Sequence, residues 1–419
     1  MDRTHFVLED RNSASGQGLV NLREQQWKSV RSVISPVFTT NKLRQMSAVT
    51  NQQTNILVSN LEKLTKTGKS FDIYDLYQRL TLDVIGRVAF AMDTNCQNNP
   101  SDPFLHHCKQ FFREASFENS LLVQFALMLP ELGPLWTLFR SRTKFGVHEE
   151  WLIAGLRKIM QKRKSIMKEF NSTDILQLLL LQQSDKTEGE LEATLDEETE
   201  PEKKPLSKRG VELSDDMIVA NSLTFLLAGY ETTSTGLGFV SWLLAKHPDI
   251  QDRLREEIQE KIGDISNVSY DDVRKMPYLD AVFREALRIF PPVVDFVTRY
   301  CVRECTIGPY KFVPGMELVL PVYNIHHNPD IWPEPEKFNP DRFLSDEVRH
   351  PLAWLPFGAG PRNCIGLRFA EMEYKIALVK VLSHFKLLLA EDSQDPLEAV
   401  TSSVLYRPAG EVRIKTEAV

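Results

Sequence analysis

The 419-residue sequence predicts a mainly α fold with small peripheral β-sheets (α+β). Three observations predict it. From about Gln25 to Lys261, apolar residues recur three and four apart with charges between them, as amphipathic helices require. The stretch from Ser214 to Lys246 is apolar nearly all round, the pattern of a helix buried at the centre of a domain. From Pro291 onward, short β-branched segments bounded by Gly or Pro read as hairpin strands.

Residues 1–18 are polar and hold no apolar run suited to secretion or membrane spanning. Helices are predicted over 51–64, 73–92 and 149–170. The most apolar long stretch, 121–139, contains Pro130, Glu131 and Pro134, which interrupt any spanning helix. Short helical pieces resting on the core are expected there, with a membrane surface as the alternative support. No repeat of 20–50 residues points to a solenoid. Between Asp185 and Glu202, nine acidic residues stand against one lysine, a composition that buries little. Residues 185–213 are therefore expected to form a mobile acidic linker within a single domain spanning 1–419.

Ser214, Asp215 and Asp216 supply a cap and two acids for the next helix N-terminus. Running to Lys246 before Pro248, that helix has about 32 residues and measures roughly 48 Å, enough to cross the domain. Residues 308–314 and 317–322 read as strands and 329–361 as proline-rich coil. Helix resumes over 367–385, and the tail over 404–414 reads as strand.

Ordinary globular composition, with 42% hydrophobic and 26% charged residues, makes a large buried core feasible. A net charge of −7 argues against nucleic acid as a partner. Five scattered cysteines are too few for a disulfide scaffold and suit a reducing compartment.

The strongest chemical signal is Phe357-Gly358-Ala359-Gly360-Pro361-Arg362-Asn363-Cys364-Ile365-Gly366. It holds one cysteine in a Gly- and Pro-shaped loop just before a helix. The glycines let backbone approach a flat ligand, and Gly366 removes a side chain that would collide with it. Backbone N–H groups after Cys364 and the positive end of the following helix favour a thiolate. Such a ligand pushes electron density through a haem iron and favours O–O cleavage. A lone cysteine is more often a buried inert thiol, but this ten-residue pattern outweighs that alternative.

The loop resembles that of the cytochrome P-450 family, matching F-x-x-G-x-R-x-C-x-G at every specified position. Three further motifs in the right order extend the resemblance over nearly the whole chain. The first, Ala228-Gly229-Tyr230-Glu231-Thr232-Thr233, falls in the middle of the central helix. Gly229 permits close approach to the backbone, and Thr232 can bond back to a carbonyl one turn earlier and bend the helix. An acid in an apolar helix is costly unless it is satisfied locally or serves as a proton route. The resemblance implies that Glu231 and Thr232 deliver protons during dioxygen activation.

The second motif, Glu285-Ala286-Leu287-Arg288, is an (i, i+3) acid–base pair, which alone is common on any helix. With Arg342 it matches a set to which the family gives a structural role near the cysteine loop. The third motif places Trp27 and Arg31 one turn apart on one helical face. By resemblance Arg31, Arg299 and Arg362 reach haem propionates while Trp27 covers them, and Ala228, Gly229 and Phe357 also line the cofactor. Cys96, Cys108, Cys301 and Cys305 read as ordinary thiols, and His326-His327 as structural.

The resemblance implies haem b (iron protoporphyrin IX) with an axial cysteine thiolate and a long central helix over it. Segment 27–46 looks like the microsomal, xenobiotic-metabolising, 3A-like animal branch, placing the protein at the cytosolic face of the endoplasmic reticulum membrane. In that branch the 121–139 stretch would dip into the membrane and admit oily substrates. By resemblance Phe225, Ala228, Val293 and Phe296 line a pocket whose apolar character suits a lipophilic small molecule.

No flavin or nicotinamide fingerprint appears, so electrons are expected from an NADPH-cytochrome reductase, with cytochrome b5 as a further partner. Lys28, Arg368 and Lys375 are the expected docking cations. Compared with the family, the membrane anchor, proline-rich hinge and first helix and strands have no counterpart before Met1. The chain thus reads as N-terminally truncated, with sheet edges and apolar surface exposed as a result. Two other readings stay open: an inactive truncated remnant, and a haem-thiolate isomerase or dehydratase that needs no reductase. The Glu231-Thr232 pair argues against the latter.

Overall fold

The computed structural model describes residues 15–116, 119–129, 132–166, 174–183, 213–294, 298–402 and 405–419. Helices α1 (Glu24–Ile34), α2 (Thr40–Thr65) and α3 (Ile73–Phe90) come first. Asp72 caps α3 by accepting from the Tyr74 N–H at 3.0 Å, and Ala91 ends it with a left-handed φ of 46°. Next comes α4 (Pro103–Glu114), with Pro103 in its first turn and Asp102 accepting from the N–H groups of Phe104 and Leu105. The helices α5 (Leu121–Met128), α6 (Gly133–Arg140), α7 (Lys144–Ser165) and α8 (Ile175–Gln183) follow.

The central helix, α9 (Asp215–Lys246), has 32 residues. Ser214 caps it by accepting from the Met217 N–H at 3.1 Å. Pro248, which cannot continue α9, instead supplies the first residue of α10 (Pro248–Lys261). The helix is buried over most of its length and packs most extensively on α3. Gly229 makes that approach possible, because a Cβ there would lie 2.8 Å from Ile85 Cγ1. The sequence suggested ligand approach as the reason for this glycine; the structure supplies helix packing.

Short helices α11 (Tyr270–Val273), α12 (Pro277–Ile289) and α13 (Val322–His326) lead to α14 (Leu367–His384), which packs against α2 and α9. All strand pairs are antiparallel. β1 (Phe71–Asp72) and β6 (Phe385–Leu388) flank β9 (Arg413–Ala418), with Phe71 opposite Ile414 and Phe385 opposite Ala418. β2 (Thr298–Tyr300) pairs β5 (Glu317–Val319), β3 (Cys305–Ile307) pairs β4 (Tyr310–Phe312), and β7 (Ala399–Ser402) pairs β8 (Leu405–Pro408). Gly308, at φ +57°, makes the β3–β4 turn. This is the mainly α architecture with small peripheral sheets that the sequence predicts.

Two expectations need correction. The predicted strand over 317–322 ends at Val319, and Val322 begins α13 instead. Core burial holds for only part of 121–139: Leu122 and Val123 pack on buried Phe145, whereas Leu121 is 69%, Met128 73% and Leu138 70% exposed, with Phe125, Leu129, Leu132, Leu135 and Phe139 exposed as well. Among the described residues, no helix is long and apolar enough to cross a membrane. The acidic stretch 185–213 lies outside the described residues except for Leu213, which is buried.

The α3–α9 contact yields a test. Gly229→Ala gains about 1 kcal/mol of helix propensity but loses about 1–3 kcal/mol by overpacking against Ile85. Urea unfolding should show a net loss in the wild-type background and a neutral or positive effect when Ile85 is also alanine.

Candidate cofactor site

The loop before α14 is shaped by backbone. Gly358 and Gly360 adopt φ +66° and +74°, the left-handed region that other residues enter at a cost. Those turns let the Gly358 N–H donate to Leu355 O, the Asn363 N–H to Gly360 O, and the Cys364 N–H to Phe357 O, at 2.9–3.0 Å. Cys364 is thereby fixed through its main chain, three residues before α14, with its side chain exposed. Cys96, Cys108 and Cys301 are buried and Cys305 half-buried. Burial pushes the Cys96 and Cys108 thiols upward, so they are kept protonated and inert.

Two guanidinium groups from separate elements reach this loop, and a third, Arg362, belongs to it. From α1, Arg31 donates to the carbonyl and side-chain oxygens of Asn363 at 3.0 and 2.8 Å. From β2, Arg299 donates to Ala359 O at 3.2 Å and Thr298 O at 2.8 Å. Arg362 is buried and donates to Leu22 O at 3.0 Å. Trp27 lies beneath two of them, its ring 4.3 Å from the Arg362 guanidinium and 5.7 Å from that of Arg31. Burial lowers the pKa of Arg31, and the neighbouring Cys364 sulfur raises it again. Among the described residues, the hydrogen bonds of Arg31 and Arg299 go to neutral oxygens.

On α9, Ala228 is exposed although the helix around it is buried, and Gly229 and Thr232 are half-buried. The Thr232 hydroxyl donates to Ala228 O at 2.7 Å, the one-turn back-bond its position predicts. Glu231 points elsewhere. It is buried and accepts from the Gln78 side-chain amide at 3.1 Å and from the Tyr74 hydroxyl, both on α3. Burial pushes its carboxyl above the ordinary range, while the Tyr74 hydrogen bond pulls it back. Sequence reasoning missed Tyr74 and Gln78; two polar residues four apart in an apolar helix were the available signal.

The remaining candidates are dispersed. Phe225 is buried against Phe38, with ring centroids 6.2 Å apart. Val293 is half-buried and bridges to Leu405, and Phe296 lies outside the described residues. Phe357 stacks on Phe283 at 6.2 Å. A Cβ on Gly366 would meet nothing closer than the Phe38 ring, at 4.0 Å, so protein packing does not require glycine there.

These residues fit a haem. One exposed thiol sits on a loop fixed by its backbone, cations approach that loop, and the central helix presents exposed Ala228 at its mid-length. No cluster of three metal-ligating side chains competes with the thiol among the described residues.

Behind the loop lies a buried ionic network. The Arg288 guanidinium donates to both Glu285 carboxylate oxygens at 2.8 and 2.9 Å and to His326 O at 2.9 Å. Glu285 also accepts from Arg342 Nε at 3.2 Å and from the Asn339 N–H at 3.0 Å. Arg342 donates in turn to Glu334 O at 2.7 Å. His326, fully buried, accepts from the Leu355 N–H at 2.8 Å, two residues before Phe357. Burial beside Arg288 pushes its pKa down to about 3, so the ring stays neutral.

The expected docking cations fare differently. Lys28 is exposed. Arg368 is held by Thr40 and Tyr270 at 2.8 Å each. Lys375 is buried and donates to Asp280 and Glu371 at 2.8 and 2.6 Å, so it cannot meet a partner. Helical spacing alone did not show which face of α14 is inward.

Comparison with known proteins agrees with this geometry. The family model described as Cytochrome P450 matches residues 2–415. The chain is 34% identical to Cytochrome P450 3A28 of Bos taurus over 94% of its length and 73% of that protein's. It is 35% identical to Cytochrome P450 3A29 of Sus scrofa, covering 94% of the chain and 74% of the relative. With Cytochrome P450 3A5 of Homo sapiens the identity is 34%, over 94% and 74%. A thiolate loop set in a mainly helical fold, a family model along almost the entire chain and relatives of this similarity leave one assignment: the chain belongs to the cytochrome P450 family. It is a haem monooxygenase similar to the 3A relatives, and its cofactor is haem b with a cysteine thiolate ligand.

Glu285 neutralises two buried cations, so Glu285→Ala should cost about 3–5 kcal/mol. Chemical denaturation of the variant against wild type measures the loss.

Proposed function

We propose that Cys364 ligates haem b and that the enzyme inserts one oxygen atom from dioxygen into a lipophilic small molecule, using electrons that an NADPH-cytochrome reductase supplies. The observation that carries this reading is a single exposed cysteine, held by its own backbone in a loop that arginines approach. When bound, haem supplies dioxygen activation and oxygen-atom transfer.

The protein's part is positioning and proton handling. Arg31, Arg299 and Arg362 offer cations to two propionates, and Trp27 shields them from water. Exposed Ala228 and back-bonded Thr232 leave space beside α9 and keep the threonine lone pairs free to accept a proton donor. Glu231, whose carboxyl burial raises above the ordinary range while the Tyr74 hydrogen bond lowers it, is the acid in this reading. Consecutive helical residues point about 100° apart. A proton therefore passes from Glu231 to Thr232 through a side-chain rotation or a water.

Apolar Phe225 and Val293 suit an oily substrate. The exposed apolar faces of α5 and α6 support attachment to the cytosolic surface of the endoplasmic reticulum membrane. Lys28, exposed on α1, and half-buried Arg368, held by hydroxyls, are the remaining docking cations for the reductase or cytochrome b5.

Purified protein, reduced under carbon monoxide, should give the Soret shift of a thiolate-ligated haem, and Cys364→Ser should abolish it. Turnover of a lipophilic probe should require NADPH and reductase. Turnover without them would favour an isomerase or dehydratase, and failure to take up haem an inactive remnant. Separately, Leu121→Asp with Leu138→Asp should abolish co-sedimentation with phospholipid vesicles while leaving the haem spectrum unchanged.

A further inference from the structure

Away from the cofactor, three imidazoles gather where α4 meets α7. His106 and His107 come from α4 and His148 from α7, with all three ring centroids within 5.9 Å of one another. The closest approach joins His107 Nδ1 and His148 Nδ1 at 2.9 Å. His107 is held flat on the Trp151 indole, 4.0 Å away and 1° from parallel, and Phe104 packs edge-on against the same indole at 5.2 Å. Its ring is therefore oriented before any ligand arrives. His106 meets both other rings edge-on, at 86° and 70°.

Two imidazole nitrogens this close share either a proton or a metal ion. Zinc binds histidine nitrogen at about 2.0–2.1 Å, which places neighbouring ligands roughly 2.9–3.4 Å apart across octahedral to tetrahedral angles. The observed separation lies at the lower end of that window, so an ion beside the line joining the two nitrogens requires the rings to turn towards it rather than to move far apart. Both rings are half-buried and thus reachable from solvent. Burial lowers the pKa of each, repulsion from the neighbouring histidines lowers them further, and Glu114 offsets part of this at His148. Neutral imidazole is the form that metals need.

We propose that His107 and His148 form a binding site for a divalent transition-metal ion of the zinc class, with water completing its coordination. On binding, the donor ring moves its proton from Nδ1 to Nε2, so neither ring needs to change charge. Imidazole donors select zinc, copper or nickel over calcium and magnesium. Helices α4 and α7 flank the apolar pair α5–α6 in the chain, so the ion would clamp the base of the segment proposed to meet the membrane.

Calorimetric titration of tag-free, chelator-stripped, haem-loaded protein with zinc chloride tests this. Wild type should bind one ion at this site and melt at a higher temperature in its presence. His148→Ala and His107→Ala should each weaken binding by more than about tenfold and lose the thermal shift, with unchanged haem spectra. His106→Ala should keep both. Equal zinc affinity in wild type and His148→Ala, or no zinc binding by wild type, would overturn the proposal.

Discussion

A thiol that serves as an axial ligand has to be exposed and immobile at once, and a cysteine side chain is too short to anchor itself. This chain meets both demands through backbone. Two left-handed glycines, Gly358 and Gly360, fold the loop so that Cys364 is tied by its own N–H to Phe357 O. The loop is then pinned from outside by Arg31 at Asn363, by Arg299 at Ala359 and by His326 at Leu355. Those three contacts come from α1, β2 and α13, elements far apart in sequence, so the global fold holds the ligand still.

Holding an irregular segment in place carries its own cost. Residues 327–359 contain little regular structure, and their buried backbone groups need partners. The Glu285–Arg288–Arg342 network provides three: Arg288 donates to Lys337 O, Arg342 to Glu334 O, and Glu285 accepts from the Asn339 N–H. Buried ion pairs of this kind add little net stability, because desolvation offsets attraction. Their value here is geometric, since guanidinium forks fix where the segment runs before it reaches Phe357.

Much of this was legible in sequence, and the limits have physical causes. The Ser214 cap, the all-round apolar pattern and Pro248 located α9 closely, because caps and breakers act locally. The glycine-rich loop and the Thr232 back-bond were readable for the same reason. What stayed hidden depended on packing between distant segments. The partners of Glu231 lie on α3, more than 150 residues away. Gly229 reads as a ligand-approach glycine until Ile85 is seen beside it. Lys375 looks like a surface cation until α14 is seen to bury it with Asp280 and Glu371. The apolar run 121–139 suggested core, since hydropathy registers a preference for leaving water and says nothing of what covers the segment.

The central claim is that Cys364, alone among five cysteines, meets the haem iron. X-ray absorption at the iron edge addresses it directly, because sulfur and lighter ligands scatter differently. The account predicts an iron–sulfur path in haem-loaded wild type and in Cys301→Ser, and its loss in Cys364→Ser. An iron–sulfur path that survives in Cys364→Ser, or none in wild type, would contradict it.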